Sequence, residues 1–184
     1  AIASKFSRIP LHLDKEASSK MENVVHSLLP VWACLASLLA VPLIVIFRKE
    51  IFLREMSTLL AGVVKLGFVL AMLPIILEGN TIVTELVPGI SGLNVPILFR
   101  VDALGMTFAL VASSLWIATS IYAVGYMRGL NEHSQTRFFA FFALSLSATL
   151  GVAFAGNLLT LYLFYELLSL STWPLVTHHQ DKEA

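Results

Sequence analysis

The stretch L-L-T-L-Y-L-F-Y-E-L-L-S-L-S-T-W-P-L-V, Leu158–Val176, decides what kind of protein this chain is. A bilayer span needs about 20 mostly apolar residues at about 1.5 Å rise each, and this run is long enough. Its only charge, Glu166, falls near the middle. A carboxylate at that depth costs a few kcal/mol on insertion scales, and intramembrane acids usually face a protein interior or a wet cavity. Glu166 therefore reads as a residue that something, most simply a proton, uses.

The same run surrounds the acid with polar groups. At about 100° per residue, Tyr162, Glu166, Ser169 and Trp173 fall within about 60° of one another. The hydroxyls of Tyr162 and Ser169 can donate to the carboxylate or hold a water beside it. Pro174 has no N–H for the Leu170 carbonyl, which leaves a landing point for a proton or a hydrated cation. A carboxyl whose cationic neighbour comes and goes can bind and release a proton, because the two situations favour different protonation states. The competing reading is a protonated Glu166 that fixes helix packing through a hydrogen bond.

The rest of the chain has the same character. Of 184 residues, 57% are hydrophobic and 13% charged, and mean hydropathy is +0.82. Soluble domains carry about 25% charged residues, so the chain belongs with integral membrane proteins. A formal net charge of zero gives no signature for nucleic acid. Cys34 is the single cysteine, and no Cys/His cluster suggests a metal. Nucleophile elbows, phosphate loops and dinucleotide fingerprints are missing as well, so no cofactor is expected.

Five runs qualify as spans, giving an all-α membrane fold: 28–47, 57–77, 103–126, 138–155 and 158–176. They divide the chain into a polar N-terminal extension over 1–26, a membrane domain over 27–177 and a tail or truncation point over 178–184. Residues 1–20 show no signal-peptide pattern, and Met21 is a candidate start of the membrane part. Arg48, Lys49 and Arg54 lie between the first two spans, and Arg128 and Arg137 between the third and fourth. The positive-inside rule then puts both loops and the C-terminus in the cytoplasm, with the N-terminus and the 78–102 loop outside. The basic residues of the N-terminal tail argue the other way, but Asp14, Glu16 and Glu22 are interspersed among them. In the outer loop, Thr81–Val87 and Val95–Val101 flank Pro88-Gly89 and predict a small β-hairpin. Asp102 reads as the N-cap of the third span.

Lys65 is the second intramembrane charge. It lies nine residues past Met56, about 13 Å into its span, and Glu166 lies as far past Asn157. Lys65 could snorkel to a lipid head group or a partner subunit, pair with Glu166, or serve transport in another way. Ser145 and Thr149 could line a water path, although hydroxyls in spans are ordinary packing residues. His178 and His179 follow the last span and could feed it protons or simply end it in solvent. His133 reads as a solvated loop residue.

The order F-R-V-D-A-L-G-M, then Y-M-R, R-F-F-A-F-F, A-G-N-L-L and F-Y-E-L-L-S-L-S-T-W-P-L-V resembles one family. It is similar to the N-terminal part of the antiporter-like subunits shared by respiratory complex I, membrane-bound hydrogenases and Mrp-type cation/proton antiporters, the Mrp D-type subunit most of all. The likeness is strong from Pro96 onward and loose over 28–95. It implies an inverted-repeat fold in which Glu166 is the acid of a central proton pathway and pairs with a lysine on a later helix. Those later helices lie beyond this chain, so the resemblance implies a fragment or a split half, with another segment or chain supplying the central lysines. Lys65 matches none of them.

The expected function is thus proton translocation, or proton/sodium exchange, by a multi-pass subunit of a prokaryotic inner-membrane complex. Its proton-pathway candidates are Glu166, Lys65, Tyr162, Ser169, His178 and His179. Its partners are other integral membrane subunits and lipid, and any NADH-quinone or hydrogenase-type catalysis sits on those partners. The alternative is a structural or assembly subunit, or a split half with no complete ion path.

Overall fold

The computed structural model describes residues 23–87, 95–129 and 135–176. Five helices carry the described chain: α1 (Leu29–Ile46), α2 (Ile51–Leu77), α3 (Ala103–Gly129), α4 (Gln135–Ala153) and α5 (Leu158–Val176). Each is long and apolar enough to cross a membrane. Apolar residues occur all round these helices, because lipid and protein interior make nearly the same demand on a side chain. The buried sides are instead picked out by small residues and hydroxyls, such as Ala33, Ser37 and Ala40 on α1.

Helix ends follow local chemistry. Pro30 occupies the first turn of α1, where its missing N–H costs nothing. After α2 the chain turns at Gly79, whose φ of 84° suits glycine, while the amides of Gly79 and Asn80 donate to Ile76 O and Ile75 O. Asp102 caps α3 as expected, its Oδ1 accepting from the Gly105 amide at 2.7 Å. Asn157 does the same for α5, accepting from the Thr160 amide at 2.8 Å. Three helices start before the sequence-predicted spans or run past them. α2 begins at Ile51, α3 runs to Gly129 and α4 begins at Gln135, because buried partners, described below, accommodate the charges at these ends.

At the opposite end lies a sheet of three strands in the order β1 (Val24–His26), β2 (Thr81–Val87), β3 (Ile97–Val101). The expected hairpin is the antiparallel β2–β3 pair, with an irregularity between Glu85 and Val87. Its tip, Pro88-Gly89 included, lies outside the described residues. β1 pairs in parallel with β2, and its three residues are too short to show a period in the sequence. It falls inside the stretch assigned to the polar extension.

The sheet positions α5. The Gly156 amide donates to Leu98 O at 2.8 Å and the Arg100 amide to Phe154 O at 2.7 Å. Thr160 Oγ1 accepts from the Leu98 amide at 2.9 Å, and Asn157 Nδ2 donates to Pro96 O at 2.6 Å. Farther along, Gly151 of α4 admits the Phe164 ring so closely that a Cβ there would stand 2.0 Å from it. β3 and α4 therefore fix the start and the rotation of the helix that carries Glu166.

Candidate functional site

Glu166 sits eight residues into α5, about 12 Å from its start. The helix turns Thr160, Phe164, Leu167 and Ser171 toward the bundle, and of its residues only Thr160 and Ser171 are fully buried. Glu166 lies about 130° round from that side and is exposed on the surface of the chain. A shallow depression of about 470 Å³ surrounds it, lined also by Ser169, Leu170, Thr172, Trp173 and Val176. The polar stripe is therefore real as a surface feature, but Tyr162 stands at its rim, 58% exposed, and does not line the depression. Near it the hydroxyl of Thr172 donates to Leu168 O at 3.0 Å and to Ser169 O at 3.1 Å. The structure makes no ion pair between Glu166 and a cation among the described residues. His178 and His179 lie outside those residues, as does His133.

Lys65 is elsewhere. With α2 starting at Ile51, it stands about 21 Å from one end of the helix and about 18 Å from the other. Its side chain is 0% exposed, so it neither snorkels nor meets lipid. The ammonium rests over the Trp116 ring of α3, 4.6 Å from the centroid, which satisfies part of the charge by a cation–π contact. It points into the interior between α1, α2 and α3, whereas Glu166 faces outward from α5. No hydrogen bond or ion pair joins the two among the described residues.

A third group gathers at the end of the bundle opposite the sheet. Glu55, 3% exposed, accepts from Arg128 through both oxygens, with Arg128 Nε at 3.0 Å from Oε1 and the terminal nitrogen on Oε2. Arg54 donates to Gln135 Oε1 at 2.6 Å and to Thr136 Oγ1 at 3.3 Å, and lies 5.7 Å from the Phe139 centroid. Gln135 in turn donates to Met127 O at 3.2 Å. From sequence, Arg54 and Arg128 read as loop charges, and nothing in the pattern singles out Glu55. The available signal was an acid at the end of the first inner connection and a base at the start of the second, within reach only once both helices are extended by a turn.

Hydroxyls elsewhere do packing work. Ser145 and Thr149 donate within their own helix, to Phe142 O at 2.9 Å and Ser145 O at 2.7 Å. Ser147 donates across to Cys34 O at 2.9 Å, tying α4 to α1. Among the described residues no three His, Cys, Asp or Glu side chains cluster as metal ligands would.

Known proteins share both the sequence and the fold. Residues 87–139 match the family described as NADH-Ubiquinone oxidoreductase (complex I), chain 5 N-terminus. The putative antiporter protein mnhA2 of Staphylococcus haemolyticus is 32% identical over 120 residues, which is 65% of this chain and 15% of that protein. The A1 component of the Na(+)/H(+) antiporter of Staphylococcus aureus (strain bovine RF122) is 30% identical over 149 residues, 79% of this chain and 18% of that protein. This chain thus spans less than a fifth of the length of these relatives. In fold it is similar to a chain of an archaeal respiratory membrane complex, the membrane-bound sulfane sulfur reductase, at a TM-score of 0.64 and 19% identity, over 77% of this chain and 21% of that one. The resemblance to antiporter-like subunits is borne out, and these relatives are named as A-type components where the sequence motifs favoured the D type.

Proposed function

We propose that this chain, similar in sequence and fold to the antiporter-like membrane subunits, forms part of an ion-translocating subunit in which Glu166 is the relay acid. The observation that carries the reading is the placement of Glu166: the only charge on α5, at mid-helix, on a side that no described element covers. A carboxylate facing bare lipid is costly, so this side of α5 needs a polar cover. A further helix bearing a lysine would provide it, as would a water-filled path along Ser169 and Thr172. Movement or neutralisation of that cation then drives uptake and release of a proton at Glu166. Moving one charge across about 100 mV is worth about 2.3 kcal/mol, which gain or loss of one nearby buried cation can supply.

The end of the bundle that carries Arg48, Lys49, Arg54, Arg128 and Arg137 faces the cytoplasm in this reading, and the sheet faces outward. Protons or sodium ions are the cargo, and further integral membrane subunits are the partners. Glu166→Gln in the full-length subunit tests the reading. Loss of coupled ion movement at normal assembly is the expected result. Normal movement per assembled complex together with poor assembly would replace it with the scaffold reading.

A further inference from the structure

Register across the first three helices brings an unusual set of side chains into one stretch of the interior, about 10 Å long on α3 from Ser113 to Ser120. Glu55 meets Arg128 near one end of the antiparallel α2–α3 pair. Farther in, Gly62 lies against α3 so closely that a Cβ there would stand 3.4 Å from Ile117 and 3.6 Å from Trp116. Lys65 then stands over Trp116. On α3, Ser113, Trp116 and Ser120 follow one another at helical spacing, and all three are buried. On α1, Cys34 and Ser37 share the buried side. Cys34 shares a buried cluster with Val69 of α2 and Ala109 of α3, and Ala40 shares the next with Ala61 and Trp116, so α1 passes Lys65 with Ser37 between the two clusters.

Lys65 Nζ, Ser37 Oγ, Ser113 Oγ, Ser120 Oγ and Trp116 Nε1 are all buried, and none has a hydrogen-bond partner among the described residues. Leaving one buried polar atom unpaired costs about 1–3 kcal/mol, so five in one stretch of the interior call for a common explanation. An ammonium has three N–H groups to satisfy, and the ring face takes one. Each serine can both donate and accept, so a water between them and the lysine would find the two to four polar partners that a buried water needs. Carboxylates are missing from this stretch among the described residues: Glu55 is about 15 Å down α2 and already paired with Arg128. Among the described residues Cys34 is the one other titratable group facing Lys65 from α1. On α3 the titratable groups are Tyr122 and Tyr126, both exposed, and Arg128 at the far end, while α4 carries Arg137 and the sheet His26, Glu85 and Arg100.

We propose that Lys65 is a proton-binding site in its own right, holding ordered water with Ser37, Ser113, Ser120 and Trp116 between α1, α2 and α3, in exchange with bulk solvent and separate from Glu166. Lys65 alternates between ammonium and amine: an ordered water takes the proton and hands it to bulk solvent, and the amine regains one by the reverse route.

Hydroxyl-radical labelling by X-ray radiolysis, on membranes carrying the full-length chain, marks side chains beside ordered water. Trp116 and Cys34 should be oxidised although they are only 1% and 7% exposed. Labelling of both should fall severalfold in Lys65→Met, and also in Ser37→Ala and Ser120→Ala, which remove one hydroxyl each and keep the proposal testable if the lysine variant fails to assemble. Unlabelled Trp116 and Cys34 in the wild type, or unchanged labelling in these variants, would overturn the hydrated layer. The second readout is the pH profile of ion exchange at equal abundance, which Lys65→Met should displace. A profile superimposable on the wild type would overturn proton binding. The transport readout rests on the function proposed above, whereas the labelling does not, so a normal Glu166→Gln variant would remove the one and leave the other standing.

Discussion

The buried carboxylate of Glu55 on α2 is gripped through both oxygens by Arg128 of α3, whose own side chain remains half-exposed. That contact fixes the slide of α3 along α2 and, a few turns on, brings Trp116 under Lys65. Removing one partner of a buried pair leaves the other charge uncompensated, whereas removing both does not. Arg128→Gln should therefore lower the thermal stability of the assembled protein more than the double variant Glu55→Gln/Arg128→Gln. Thermal unfolding in detergent checks the order, and a double variant less stable than the single one would contradict it.

Gly151 sets the distance between α4 and α5. A methyl group there would collide with the Phe164 ring, so one or both must move. Overpacking of this kind costs about 1–3 kcal/mol. Gly151→Ala should destabilise the protein by that amount, and Gly151→Ala/Phe164→Leu should recover part of it. The same unfolding measurement decides, with no recovery as the contrary result.

Asp102 caps α3 and joins that helix to β3. Asp102→Ala should cost about 1 kcal/mol, the usual effect of losing an N-cap, and Asp102→Asn only a fraction of it. Equal losses in the two variants, again measured by thermal unfolding, would point to a role for the negative charge rather than for the cap.

Ser169 lies one turn beyond Glu166 and lines the same depression. Ser169→Ala removes a hydroxyl but no charge. Ion movement should slow severalfold without being abolished, and assembly should stay normal. Flux in membrane vesicles is the check, and a complete block would mean that the hydroxyl itself is indispensable to the path.

The sequence made some of this legible and hid the rest, for physical reasons. The run 158–176 announces a span by length and hydropathy alone, and the structure returns a helix over the same residues. The β2–β3 hairpin could be read from its β-branched runs, and the cap at Asp102 from residue type and position. By contrast, β1 is too short to carry a pattern. Arg54, Glu55 and Arg128 look like loop charges until each finds its buried partner, because hydropathy counts a charge without seeing what neutralises it. The orientation of Lys65 was beyond reach for a similar reason. Lipid-facing and core-facing sides of a span are both apolar, so the period that would point a side chain inward in a soluble helix is faint here.

The protonation of Glu166 itself tests the central claim most directly. Infrared difference spectra of the assembled protein, taken as pH is stepped, should contain a carboxylic C=O band that appears and disappears reversibly, exchanges in D₂O and is missing from Glu166→Gln. Spectra of wild type and variant that coincide across the titration would show that this side chain neither takes up nor releases a proton, and would contradict its role as the relay.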